Sequence, residues 1–185
     1  MPVYININEP TATFQYLHTK FLRNTVAILY KSKSQFVDAL PALIEESEHS
    51  SLKLALQQTF DDLQKQSNIL KNLIKLIGEQ QPTPHCLAVN HMFKEVTDLL
   101  NDSDGNSLTN DMAMLIYVNG VLSMQLSILK LLYDLSRRSI LKPYAQLLKE
   151  IINITEDNLS LYSIVAPDMI FIHHMAAIRA NLLSN

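Results

Sequence analysis

The chain has 185 residues, of which 48% are hydrophobic and 18% are charged, which is enough for one domain with a sizeable core. The formal net charge of −3, without a dense run of lysine and arginine, argues against nucleic acid as a main partner, because phosphate binding requires a basic face. A single cysteine, Cys86, excludes an internal disulfide framework and fits a reducing compartment. Three glycines and no tryptophan favour helices over a turn-rich sheet. We therefore expect residues 1–185 to form a single all-α domain in the cytoplasm.

The first long helix is predicted from about Thr11 to Leu40, after a loose N-terminal segment at residues 1–8. Pro41 is expected to end or kink it, because proline lacks a backbone donor and clashes with the preceding turn. Apolar side chains recur on one face at helical spacing, and Lys33 interrupts them at mid-length. The predicted inward stripe is Leu22, Val26, Leu29, Lys33, Phe36 and Leu40.

The second helix is predicted from about Ser51 to Ile77. Its inward stripe also contains polar residues near mid-length, with Gln64 one turn from Ser67. Both side chains can form hydrogen bonds, and neither is a common metal ligand. The predicted stripe is Leu56, Phe60, Leu63, Ser67, Leu70 and Ile74.

Residues 79–107 are predicted to carry the chain across the bundle, because Pro82 and Pro84 break the helical pattern. A short helix from about Cys86 to Leu100 lies within this crossover, and a third long helix runs from about Leu108 to Arg137. The third helix has no charged residue over a length close to that of a membrane span. Its polar residues favour a buried helix of a soluble protein, and we expect no membrane partner. The predicted stripe is Leu115, Val118, Leu122, Gln125, Leu129 and Leu132.

A fourth helix is predicted from about Pro143 to Val165, and Pro167 is expected to separate it from a final C-terminal helix at about 167–183. The inward stripe of the fourth helix is Leu148, Ile152, Thr155, Leu159 and Tyr162. The final helix carries many apolar residues that need a surface to cover. They are Met169, Ile170, Ile172, Met175, Ile178 and Leu182.

Two long helix hairpins joined by a crossover indicate a four-helix bundle. Three segments carry a more specific likeness, namely LYKSKSQFVDALPAL in the first helix, HCLAVNHMFKEVTDLL in the crossover and YAQLLKEIINITEDN in the fourth helix. With these segments, residues 17–163 resemble the YciE/YciF-like family of bacterial ferritin-like proteins. The resemblance implies a ferritin-like four-helix bundle with a crossover helix and an additional C-terminal helix, in a bacterial, stress-associated setting.

The resemblance also implies a di-metal centre of iron or manganese held by carboxylates and histidine. Placed residue by residue, the family's first glutamate falls on Lys33, and its Glu-x-x-His pair falls on Gln64 and Ser67. On the other two helices only Glu156 among the matching positions is acidic. We therefore predict no metal and no cofactor, and a vestigial polar layer in the interior. Its predicted members are Lys33, Gln64, Ser67, Gln125, Thr155 and Glu156.

Two interpretations of Lys33 remain open at the level of sequence. Lys33 could replace the lost metal charge and pair with Asp61, Asp62 or Glu156 as an internal salt bridge. Alternatively, a slightly rotated helix would let its ammonium group reach water, which avoids the cost of several kcal/mol for a buried unpaired charge.

Other groups of potential ligands have simpler explanations. His91 and Glu95 share a helical face, but two or three donors on one helix do not complete a site. The acidic cluster at residues 45–49 precedes the second helix, where negative charge stabilises the positive helix end. His173 and His174 are adjacent, so they point about 100° apart on a helix and cannot easily hold one ion.

The sequence therefore predicts a metal-free, non-catalytic protein with a structural or protein-interaction role. We expect a homodimer, because the third helix and the final helix are too apolar for one core to cover. An alternative is a di-metal oxidase or iron-handling stress protein with ligands from Glu156, Glu95 or histidines. A third possibility is an adaptor that binds a partner helix in a groove beside the C-terminal helix.

Overall fold

The computed structural model describes residues 12–77, 86–102, 107–137 and 142–183. These residues form five α-helices and contain no strand. The helices are α1 (Ala12–Glu46), α2 (Ser50–Ile77), α3 (Leu87–Asp102), α4 (Ser107–Ser136) and α5 (Ala145–Leu183), and a short 3-10 turn at Lys142–Tyr144 precedes α5. The predicted loose segment 1–8 and the crossover prolines at 82 and 84 lie outside the described residues.

The four long helices form a bundle in which α1 packs against α2 and α4, and α5 packs against the same two helices. The carboxylate of Asp111, at the start of α4, accepts the backbone N–H of His49 just before α2. Ser51, at the start of α2, donates to Asp168 late in α5. These contacts gather the starts of α2 and α4 and the later part of α5 at one end, so each hairpin is antiparallel. The all-α helical bundle prediction is confirmed, and α3 lies outside it against α4 and α1.

Two apolar clusters fill the bundle, one toward each end. Along each long helix the buried residues pass from one cluster to the other through a short polar interval. The intervals lie between Leu29 and Phe36 on α1, Leu63 and Leu70 on α2, Leu122 and Leu129 on α4, and Ile152 and Tyr162 on α5. A polar layer therefore crosses the core at mid-height on all four helices.

The prediction that prolines separate helices is wrong at both positions. α1 continues through Pro41 to Glu46, and α5 continues through Pro167 to Leu183, so there is no separate C-terminal helix. Both prolines are exposed on the outside of their helices. A proline inside a helix costs about 3 kcal/mol. The apolar side chains buried on both sides of it, each contributing about 1.5–3 kcal/mol, offset that cost.

By length and composition, α4 is the one described helix that could cross a membrane. Half of its most apolar 18-residue stretch is buried inside the bundle. It contacts α1, α3 and α5. The high apolar content of α4 is therefore explained in large part by burial against three helices.

Candidate functional site

Lys33 lies at the centre of the polar layer with its side chain completely buried. It belongs to α1, one turn after Leu29 and three residues before Phe36, both of which are also completely buried. The helical spacing therefore leaves Lys33 on the inward face, where a lysine is very rarely fully buried without partners. The prediction that Lys33 lies in the inward stripe agrees with this position, and the interpretation that it reaches water is wrong.

Two glutamine amide oxygens accept hydrogen bonds from the Lys33 amine. Its Nζ donates to Oε1 of Gln66 on α2 at 2.5 Å and to Oε1 of Gln125 on α4 at 3.0 Å. The amide nitrogen of Gln125 donates in turn to Oγ of Ser32 on α1 at 3.0 Å. A buried network thus joins three helices, and the pairing of Lys33 with a carboxylate is also wrong.

The amide oxygens provide partial rather than full negative charge. Burial lowers the pKa of Lys33 from 10.5 to about 7, because desolvation penalises the ammonium form. The neutral amine has two N–H donors, which match the two carbonyl acceptors, and the ammonium form has three. The two bonds are therefore compatible with both protonation states, and the site can gain or lose a proton near neutral pH.

The α5 side of the layer is fixed by a bond between Oγ1 of Thr59 and the hydroxyl of Tyr162, at 2.8 Å. Because α2 and α5 are antiparallel, seven residues forward from Thr59 and seven back from Tyr162 reach the same height. These residues are Gln66 and Thr155, and both are completely buried. The hydroxyl of Thr155 donates to the carbonyl of Ile151 at 2.8 Å, so its donor is used within α5.

Asn158 is a further buried member of the layer, one turn from Thr155 on α5. Within the described part of the chain, neither its amide oxygen nor its amide nitrogen has a hydrogen-bond partner. The same holds for the amide nitrogen of Gln66. Buried amides are ordinarily hydrogen-bonded to protein or to internal water.

The predicted members of the layer occupy different positions in the structure. Lys33, Gln125 and Thr155 are buried in the interior. Gln64 is exposed and Ser67 is half-buried, so the predicted inward position of Gln64 is wrong. Glu156 is wrong as well, because it lies on the outside of α5 and pairs with Lys130 at 2.8 Å. That hydrogen bond lowers the pKa of Glu156.

The error on α2 has a simple geometric cause. The buried face runs through Thr59, Leu63, Gln66 and Leu70, with alternating steps of four and three residues. Phe60 and Ile74, on which the predicted stripe depended, are only half-buried and lie beside this face. Gln66 was missed because the stripe was placed one residue out of register. Asn158 had a sequence signal, since it lies between Thr155 and Tyr162 at helical spacing.

Gln64 and Ser67 instead line a shallow groove between α1 and α2, with a volume of about 230 Å³. Tyr30, Ser34 and Asn68 also line it. Oγ of Ser67 is buried in this groove and has no hydrogen-bond partner among the described residues. The groove is open and mixed in polarity, and it contains no carboxylate or histidine.

The other candidate ligands do not converge. His91 and Glu95 are both exposed on α3, and Glu45, Glu46 and Glu48 are exposed at the α1–α2 turn. Among the residues that the structure describes, no group of three His, Cys, Asp or Glu side chains could hold a metal ion.

The residue that stabilises the start of α2 comes from another helix. Asp111 on α4 is buried, and its carboxylate accepts the backbone N–H of Glu48 at 3.3 Å and of His49 at 2.9 Å. This places a negative charge at the positive end of α2. Sequence reasoning assigned that electrostatic role to the acidic cluster at 45–49 and missed Asp111.

The polar layer does not fit the di-metal centre that the family resemblance implies. Hard divalent cations require several oxygen ligands, with carboxylates to neutralise their charge. Here the interior groups are neutral apart from one amine. They are the amine of Lys33, the amides of Gln66, Gln125 and Asn158, and the hydroxyls of Ser32, Thr59 and Thr155. An amine at the centre competes for the same acceptor oxygens and, when protonated, repels a cation.

A scan against protein-family models matches residues 14–163 to the family described as a domain of unknown function, DUF892. The chain belongs to this family. The match spans most of α1 through the first half of α5 and stops before the last twenty residues of that helix. No curated protein matches the chain.

Two solved structures have the same fold as this chain. The E. coli stress protein YciF superimposes with a TM-score of 0.75 at 15% sequence identity, over 83% of this chain and 96% of its own. YcfI from Rhodopseudomonas palustris, provisionally described as a structural protein, superimposes with a TM-score of 0.63 at 17% identity, over 90% of this chain and 97% of its own. The predicted YciF-like resemblance is therefore confirmed, and at these identities the likeness establishes the fold.

Proposed function

We propose that this protein is a metal-free, non-catalytic DUF892 member with a structural or protein-interaction role. One observation carries the proposal, namely the completely buried Lys33 held by the amide oxygens of Gln66 and Gln125. This arrangement uses the centre of the bundle to join helices, because each bond crosses from α1 to another helix. The descriptions of the two structural neighbours, a stress protein and a structural protein, are compatible with such a role.

The alternative of a di-metal oxidase or iron-handling protein requires carboxylates that turn inward. Glu156 pairs with Lys130 on the outside of the bundle, and Glu95 is exposed on α3. Neither side chain approaches the buried layer from its observed face. The geometry therefore favours the metal-free proposal.

The test is the metal content of protein purified without a histidine tag from cells supplied with iron and manganese. Well below one metal ion per chain is expected, because Lys33 occupies the centre of the layer. About two iron or manganese ions per chain, the content of a di-metal bundle, would overturn the proposal. Lys33→Met is the matched variant, with Lys71→Met on the exposed face of α2 as its control. If a metal ion is bound elsewhere in the chain, the metal content of Lys33→Met and Lys71→Met should be the same.

The interaction part of the proposal takes a second copy of the chain as the first partner, giving a cytoplasmic homodimer. It is supported by large apolar side chains that remain exposed on two helices. They include Ile116 and Leu131 on α4 and Ile164, Phe171 and Leu182 on α5. Analytical ultracentrifugation at micromolar concentration tests it, and a monomer would count against self-association.

A further inference from the structure

The last part of α5 extends beyond the bundle. Among the side chains of α5 that the structure describes, Met169 is the last that is buried, and those described after it are exposed. From Ile170 to Leu183 the helix is about 21 Å long at 1.5 Å per residue. This projecting segment lies outside the range 14–163 that matches the family.

Five exposed apolar residues of α5, four of them in this segment, follow a heptad spacing. Ile164, Phe171 and Ile178 are seven residues apart, and Met175 and Leu182 form a second series seven residues apart. Together the two series alternate steps of three and four residues, which is the pattern of a helix that packs along another helix. Their exposed fractions range from 41% to 74%, so the described bundle does not cover this seam.

We infer that the α5 seam, defined as Ile164, Phe171, Met175, Ile178 and Leu182, binds the same seam of a second copy in an antiparallel two-helix coiled coil. The inference rests on the interaction role proposed above and names the partner and the surface. A helical segment of this length is marginal in water without packing, so the exposed seam calls for a helical partner. A second copy provides a seam with an identical pattern.

Charge complementarity determines the direction. Asp168 completes the heptad series of Met175 and Leu182, near the bundle end of the seam, and Arg179 lies near its tip. When Phe171 of one copy packs against Met175 of the other in antiparallel orientation, Asp168 comes beside the partner subunit's Arg179. The symmetry produces this pair twice. A parallel pair would instead place like charges together, which is unfavourable. Asp168 accepts a bond from Ser51 at 3.0 Å and retains a free carboxylate oxygen for the second interaction.

The antiparallel arrangement also separates the two bundles. Each projecting tip points toward the partner's bundle, and the bundles lie at opposite ends of the paired helices. Leu182 at the tip then packs against the partner subunit's Ile164, which is 69% exposed. Four apolar positions of the seam pair with one another in this register, and Ile178 lies opposite the partner subunit's Asp168.

The test compares the oligomeric state of the full chain with that of two variants by analytical ultracentrifugation. We expect a wild-type dimer, and Met175→Glu with Ile178→Glu should weaken it on the order of a hundredfold or more, because unpaired charges would be buried in the seam. Ile170→Glu is the matched control, since Ile170 is exposed on the same segment but lies off the seam, and it should remain dimeric. Circular dichroism should show native helicity in both variants.

A wild-type monomer would overturn the inference, as would binding of the wild-type monomer to lipid vesicles through the same segment. A dimer that survives the double glutamate variant would place self-association on another face, so this inference would fail while the broader proposal stood. The direction is tested by charge exchange. Arg179→Asp should weaken the dimer, and adding Asp168→Arg should restore it. Failure of the restoration would refute the antiparallel register.

Discussion

Replacing Lys33 by methionine should remove a specific pH dependence from the stability of the fold. In the native protein the pKa of Lys33 is lowered from 10.5 to about 7. Between these two values the unfolded chain retains a proton on Lys33 that the native protein has lost. Because the unfolded state binds more protons there, the free energy of unfolding rises with pH. Below pH 7 both states carry the proton, and the destabilisation by the buried ammonium is fully present.

The size of the effect follows from the proton difference. One proton corresponds to a slope of about 1.4 kcal/mol per pH unit. From about pH 7 to about pH 9.5 the wild-type protein should therefore gain about 3 kcal/mol of stability, the slope being shallower near pH 7 where Lys33 is half-titrated. Burial raises the pKa values of Tyr117 and Tyr162 above their ordinary value of 10.0. Those two groups reduce stability only above that range, so the chosen window isolates the lysine.

The assay is urea unfolding followed by circular dichroism at several pH values across this window. Lys33→Met should show a nearly flat profile, and Lys71→Met, an exposed lysine on α2, should retain the wild-type slope. The stability of Lys33→Met at a single pH is less informative. Loss of the buried charge stabilises this variant. The two glutamine oxygens, however, lose their hydrogen-bond donor, which costs about 1–3 kcal/mol each. Parallel pH profiles for wild type and Lys33→Met would refute the claim that Lys33 is desolvated in the native bundle.

Further predictions concern the register of the layer and its surroundings. Gln66→Leu should destabilise by about 1–3 kcal/mol in urea unfolding because it removes an acceptor of the buried amine, whereas Gln64→Leu should change stability by less than about 0.5 kcal/mol; equal effects would contradict the observed register. Asp111→Ala should cost about 1–3 kcal/mol in thermal unfolding, since two backbone N–H groups lose their buried acceptor, and an unchanged Tm would argue against the cap. Thr59→Val should cost about 1 kcal/mol and raise the pKa of Tyr162 slightly further, because the Thr59 hydrogen bond lowers that pKa while burial, the larger cause, raises it; ultraviolet titration of the tyrosines checks this.

The sequence predicted the helices well and their ends less well. Every predicted inward residue of α1 from Leu22 to Leu40 is buried, because its apolar residues keep a single helical period with only Lys33 between them. The ends at Pro41 and Pro167 were placed wrongly, because the local penalty of proline was weighed without the buried contacts beyond it. Those contacts come from other helices and leave no local signal.

The sequence predicts a polar layer in the core, but two of the residues predicted for it, Gln64 and Glu156, lie elsewhere. On α2 the two predicted polar residues, Gln64 and Ser67, lie three residues apart. An error of one residue in the register of the helix was enough to select them in place of Gln66. Lys33 illustrates a second limit of sequence patterns. Its burial depends on the amide oxygens of Gln66 and Gln125, which lie 33 and 92 residues away along the chain. Such partners can be identified only when the helices are assembled.

The internal lysine also restricts how this sequence can change. Lys33→Glu alone would place a carboxylate against the two amide oxygens that now accept from the amine, and like partial charges would repel. Gln66→Glu would instead keep an acceptor oxygen for the amine and place a carboxylate beside it, as an ion pair with Lys33. The first change toward a carboxylate-rich interior is therefore tolerated on α2 and opposed on α1 while the glutamines remain. The buried lysine thus sets the order in which this interior can change.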